Sequence, residues 1–135
     1  MPAPEDILAA NKAFYKAFAD RDLAAMEALW AKNHPVSCVH PGWPPLMGRD
    51  AVMASWRDVL SASEPMEIRV QDIGVQGFGD TALVLCGEIL NSQAALSAAN
   101  LFVREDGKWR IAFHQSGRIA IRGESEPPPP RPVLH

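Results

Sequence analysis

Three side chains stand out by type and setting as able to hold or move a proton. His40 lies in the run Ser37-Cys38-Val39-His40-Pro41-Gly42-Trp43, where a short apolar strand is stopped by a Pro-Gly turn beside an indole. An imidazole titrates near neutral pH, and at a strand end it is placed to face a pocket and take a proton from a carbon or a water. His114 belongs to a late alternating segment in which Arg110, Ala112, His114 and Ser116 point one way and Trp109, Ile111, Phe113 and Gln115 the other. Either set suits a buried face. Cys38 projects from the same side of its strand as His40, and with His114 the pair would supply zinc donors and leave a fourth position for water. That spacing is not a recognised zinc signature, so no metal is assigned. Nor is Cys38 read as a nucleophile, because an apolar neighbourhood raises a thiol's pKa.

The elements that must position these groups can be read from hydrophobic period. Ile7, Leu8, Phe14 and Phe18, then Leu23, Met26, Leu29 and Trp30, recur at helical spacing and imply two successive amphipathic helices. Asp20 or Asp22 caps the second, and Asn33-His34-Pro35 stops it. Val36 to Val39 reads as a short strand and Pro41 to Pro45 as a rigid loop. A third helix is expected over Asp50 to Leu60, carrying Val52, Trp56, Val59 and Leu60 on one side. The period then turns alternating, giving strands over Met66 to Val75, Thr81 to Asn91, Ala95 to Arg104 and Lys108 to Arg118. Helices first and a meander afterwards imply an α+β domain with helices on one face of a curved sheet. Glu88 and Asp72, inside apolar strand runs, read as surface charges. Tyr15, about 100° around the helix from Phe14, reads as a helix-sheet seam or surface residue.

A chain of 135 residues, 47% hydrophobic with a net charge of −3, is expected to form one domain over residues 1–122. Residues 123–135, rich in proline, are expected to be extended or disordered. The mixed charge without a basic run argues against nucleic acid and for a small, neutral or weakly polar ligand as partner. The lack of a long apolar stretch or a basic leader gives the expectation of a cytoplasmic protein without membrane attachment. Cys38 and Cys86, inside apolar runs, are expected to be reduced and buried.

Several strings together resemble the NTF2-like superfamily, in particular its SnoaL-like and ketosteroid-isomerase-like branches. They are Phe14-Tyr15-Lys16-Ala17-Phe18, Asp22-Leu23, Leu29-Trp30, Val39-His40-Pro41-Gly42, Gly48-Arg49-Asp50-Ala51-Val52 and Gly107-Lys108-Trp109-Arg110-Ile111. The resemblance implies an α+β cone in which three N-terminal helices pack on a strongly curved, mostly antiparallel sheet enclosing a pocket, with a homodimer through the sheet's outer face. It places His40 where steroid isomerases carry a carboxylate base, Phe14 where they carry a phenol, and Asn100 where they carry a protonated Asp. The expected catalytic set is therefore His40 as base, with Asn100 and His114 holding the oxygen on which charge develops. Phe14, Phe18, Cys38, Trp43, Trp56, Phe102 and Ser116 are expected to line a ligand site, with no cofactor. The functional expectation is acid-base chemistry of isomerase, dehydratase or cyclase type on a small hydrophobic substrate. Its alternative is a non-catalytic ligand-binding or dimerisation module.

Overall fold

The computed structural model describes residues 4–61, 64 and 66–119. The Pro-rich segment 123–135 lies outside them. Helix α1 spans Pro4–Ala19 and begins with proline followed by Glu5 and Asp6, which suit the unpaired amides of a first turn. Ile7, Asn11, Phe14, Tyr15 and Phe18 form its buried stripe. Arg21, with φ at 55°, turns the chain, and Asp22 caps α2 (Leu23–Leu29) by accepting from the Ala25 amide at 3.0 Å.

Helix α2 ends one residue earlier than its apolar spacing suggests. Trp30 is extended and bridges to Ile111, so the chain leaves the helix to join the sheet. The carbonyls at this exit are gathered by Arg49, which donates to Trp30 and Ala31 at 3.0 Å each and to Glu27 at 2.7 Å. Arg49 opens α3 (Arg49–Leu60) after Gly48, whose φ of 92° is tolerated by glycine at this cap. One guanidinium thus ties the start of α3 to the end of α2. Arg49→Met should cost roughly 1–3 kcal/mol, read as a lower denaturant midpoint with unchanged m-value.

The described strands form one six-stranded mixed sheet in the order β2-β1-β6-β5-β4-β3. They are β1 (Ser37–Val39), β2 (Leu46–Met47), β3 (Ile68–Phe78), β4 (Thr81–Leu90), β5 (Ala94–Glu105) and β6 (Lys108–Arg118). Only β1 with β6 is parallel among these pairs. The edge strand β2 falls just after the proline loop and has no alternation long enough to announce it.

Two bulges decide which side chains face inward. In β6 the register slips between the pairs Leu101↔Phe113 and Phe102↔Ile111, so Ala112 is an extra residue. The single face expected for Arg110, Ala112, His114 and Ser116 is therefore broken. Trp109 and Ile111 before the bulge, and His114 and Ser116 after it, are all buried. In β3 the slip between Gln71 and Gly74 leaves Asp72 and Ile73 opposite Cys86 alone, with Asp72 at φ 54°. Val70 before this bulge and Val75 after it both pack against the core.

The core lies between this concave face and the helices, and includes Phe14, Met26, Trp30, Val52, Trp56, Phe102 and Ile111. No described helix is long and apolar enough to cross a membrane.

Candidate functional site in the interior of the cone

A transverse row of inward side chains crosses the sheet. Register pairs Val75 with Val84, Val84 with Asn100, Asn100 with His114, and His114 with Cys38. His40 follows the end of β1, its carbonyl accepting from the Trp43 amide at 2.9 Å to close the turn. The two imidazoles that stood out by type now stand 6.3 Å apart, ring centre to ring centre. Trp56 of α3 packs on both, at 4.8 Å from His40 and 5.9 Å from His114, and Phe14 of α1 completes the cluster 5.0 Å from His114.

Each ring is held in one tautomer by its neighbours. His40 Nε2 lies 2.9 Å from Ser55 Oγ, whose single proton goes to the Val52 carbonyl at 2.6 Å. Ser55 must then accept from His40, so the Nδ1 of a neutral His40 bears the lone pair. Asn100 donates through Nδ2 to Asn11 Oδ1 at 2.9 Å and to Tyr15 at 3.1 Å, which turns its Oδ1 toward His114 Nδ1 at 2.6 Å. His114 therefore donates from Nδ1 and keeps its lone pair on Nε2. Burial pushes the His40 pKa down to about 4. Burial, with the charge of a protonated His40 as a second cause, pushes His114 down to about 3. Both rings are neutral at pH 7.

The network continues outward to Tyr15 and Glu88. Tyr15 is fully packed at the seam between α1 and the sheet, and donates to Glu88 Oε2 at 2.5 Å. Glu88, expected as a surface charge, is 1% exposed. Burial raises its pKa, against the pull of hydrogen bonds from Tyr15 and Ser116. Burial first and Glu88 second raise that of Tyr15. The clue available in sequence was the even spacing of Ala82, Val84, Cys86 and Glu88, which puts the carboxylate in register with three buried neighbours.

The other expected site residues sort clearly. Phe14, Phe18, Cys38, Trp56, Phe102 and Ser116 are buried in the interior, whereas Trp43 is 39% exposed and lies edge-on to His40 at 5.0 Å. Asn100, expected to donate to a ligand oxygen, spends its amide protons on Asn11 and Tyr15 instead. Cys38 and Cys86 are free and buried, and burial pushes the Cys38 thiol up to about 12. Trp56 Nε1 is buried without a hydrogen-bond partner among the described residues. No cluster of three or more His, Cys, Asp or Glu suited to a metal ion occurs among them. A separate cavity of about 550 Å3 opens between α1 and β3, with Asn11 and Tyr15 in its wall. None of His40, Asn100 and His114 lines it.

With this geometry in hand, comparison with known proteins places the chain. The profile of SnoaL-like domains matches residues 7–121. The chain belongs to the SnoaL-like family. Among solved structures, this SnoaL-like domain is similar to an NTF2-like-family protein of Streptomyces avermitilis provisionally assigned as a dehydratase. That likeness has 32% identity, a TM-score of 0.80, and coverage of 87% of this chain and 96% of the other. A protein of Thiobacillus denitrificans, provisionally assigned as a calcium/calmodulin-dependent protein kinase type II association domain, shares 33% identity over 89% of this chain and 98% of its own, with a TM-score of 0.78. A ketosteroid isomerase-like protein of Erwinia carotovora atroseptica shares the fold, with a TM-score of 0.68, 23% identity, and coverage of 87% of this chain and 96% of the other. No curated protein matches the sequence. The SnoaL-like domain is an NTF2-like α+β cone, three helices against a curved mixed sheet.

Proposed function

We propose that this SnoaL-like domain binds a small hydrophobic molecule and performs cofactor-free acid-base chemistry on it, of isomerase, dehydratase or cyclase type, with His40 as base. The observation that carries this reading is the pair of neutral imidazoles, each held in a defined tautomer by a short hydrogen bond to an oxygen, Ser55 Oγ for His40 and Asn100 Oδ1 for His114. A histidine with a depressed pKa is already unprotonated at working pH, and its conjugate acid gives the proton back readily. That suits a reaction in which a proton is removed and returned. His114 offers a second lone pair. Trp56 supplies the buried indole N–H left over for a developing oxyanion, and Asn100 acts as a positioning residue that holds His114. Trp43, the partly exposed ring on the proline loop, stands edge-on to His40 at 5.0 Å.

The same reading includes a cytoplasmic homodimer. Reduced thiols at Cys38 and Cys86 suit that compartment. The outer sheet row Leu83, Leu101 and Phe113, beside Leu85 at 46% exposure, supplies an apolar face for a second copy.

Exchange of α-protons for deuterium in a panel of small cyclic ketones tests the base directly, because it reports proton abstraction whatever the product. Exchange should be flat from about pH 5 to pH 8 and fall below that as His40 protonates. His40→Ala should slow it by roughly 10²–10⁴-fold. Unchanged exchange in His40→Ala would remove His40 from the mechanism. Phe14 in the place of a phenol favours the second reading, a non-catalytic ligand-binding or dimerisation module. Ligands that bind without exchange across the panel would establish that module.

A further inference from the structure

The cavity between α1 and β3 lies outside the interior imidazole pair. One wall is the α1 stripe Leu8, Lys12 and Lys16, and the other is Ile68, Val70 and Ile73 of β3. Leu8 and Ile73 are 38% and 45% exposed, so hydrocarbon stands in water on both sides of the opening. Ile73 is there because the bulge at Asp72–Ile73 takes the strand out of its regular alternation. At about 550 Å3 the space falls within the range of small-molecule sites.

The polar groups divide by depth. Tyr15 and Asn11 line the cavity, but Tyr15 gives its proton to Glu88, and Asn11 Oδ1 receives one from Asn100. Their strong bonds point inward, away from a guest. At the rim stand the two ammonium groups. Lys16 is paired to Asp20 at 2.6 Å, while Lys12 makes no ion pair among the described residues. The rim therefore carries one uncompensated positive charge above apolar walls.

The geometry points to a binding site in the α1–β3 cleft for an amphiphilic carboxylate, a fatty or arylalkanoic acid. Its chain lies between Leu8 and the β3 residues Ile68, Val70 and Ile73, and its carboxylate meets Lys12. Burial of hydrocarbon supplies the affinity, and the ammonium selects an acid over an alcohol or ester of the same chain. This site stands independently of the interior chemistry proposed for His40, and either can fail alone.

Calorimetric titration of the full chain with sub-micellar decanoate, and with 1-decanol as its uncharged counterpart, tests the proposal. Decanoate should bind one per subunit and more tightly than decanol, with the gap narrowing as salt is added. Lys12→Met should weaken decanoate by roughly two- to five-fold and leave decanol unchanged, and Lys12→Arg should restore it. Ile73→Glu, which sets a carboxylate in the cleft at an exposed position, should weaken decanoate by at least about ten-fold. Absence of binding by both ligands would overturn the site. So would binding of both that ignores Ile73→Glu, which would place the guest elsewhere. Decanol binding as tightly as decanoate, with Lys12→Met silent, would overturn the carboxylate class. A dimer that dissociates on Ile73→Glu would show that a second copy, not a small acid, occupies the cleft.

Discussion

Replacing Asn100 with leucine should destabilise the domain by roughly 3–5 kcal/mol, a large share of what a domain of this size has. Asn100 is fully buried and makes three side-chain hydrogen bonds, donating to Asn11 and Tyr15 and accepting from His114. Leucine matches it in shape and supplies none of them. The Asn11 carbonyl and the His114 Nδ1–H would then be buried without those partners, and each such orphan costs roughly 1–3 kcal/mol. Chemical denaturation followed by tryptophan fluorescence measures the loss. Asn100→Asp separates polarity from shape, since a carboxylate still accepts from His114 while adding a negative charge beside it. The His114 pKa should then move up from about 3, as read by NMR titration. A loss below about 1 kcal/mol for leucine would mean that the network contributes little beyond its packing.

Acid should unfold this protein through its two buried histidines. Their folded-state pKa values, about 4 for His40 and about 3 for His114, lie below the ordinary 6.5. Below pH 6.5 the unfolded chain therefore binds protons that the folded chain refuses. The stability they contribute is complete above pH 6.5 and is lost as pH falls toward 4 and then 3. Each histidine can contribute a slope of about 1.4 kcal/mol per pH unit in that window. Glu88 acts in the opposite sense. Its raised pKa means the folded state holds a proton that the unfolded state releases, so Glu88 favours folding as pH falls toward its ordinary 4.5. Two histidines against one carboxyl leave a net loss toward acid. Stability measured from pH 7 to 4 should fall steeply in the wild type, and His40→Gln should take away close to half of the histidine slope. An identical slope in that variant would show that His40 protonates freely in the fold.

Much of the architecture was legible because it rests on local rules. Helical spacing in residues 4–29 and 50–60, the Asp22 cap and alternation after residue 66 each express a preference the backbone has without distant contacts. The expected strand starting at Met66 begins at Ile68 and runs on to Phe78, because pairing with β4 continues to Thr81, where the chain turns. β2 was not legible at all. A two-residue strand is defined by its partner, here Ser37 and Cys38, and by nothing in its own sequence.

The candidate site divides in the same way. The sequence by itself determined that His40 would stand at a strand end beside an indole, and that a late strand would carry His114. It could not decide which face His114 takes, because inward and outward sets exchange at a bulge, and the extra residue Ala112 exists only relative to the pairing of β6 with β5. The same holds for Glu88 and Tyr15. Each reads as an ordinary surface or seam residue until the packing of α1 on β4 puts phenol against carboxyl, 73 positions apart in the chain. Local propensity selects the elements and their polar tips. Which tips meet, and whether water reaches them, is set by long-range register and burial, and those are properties of the folded chain alone.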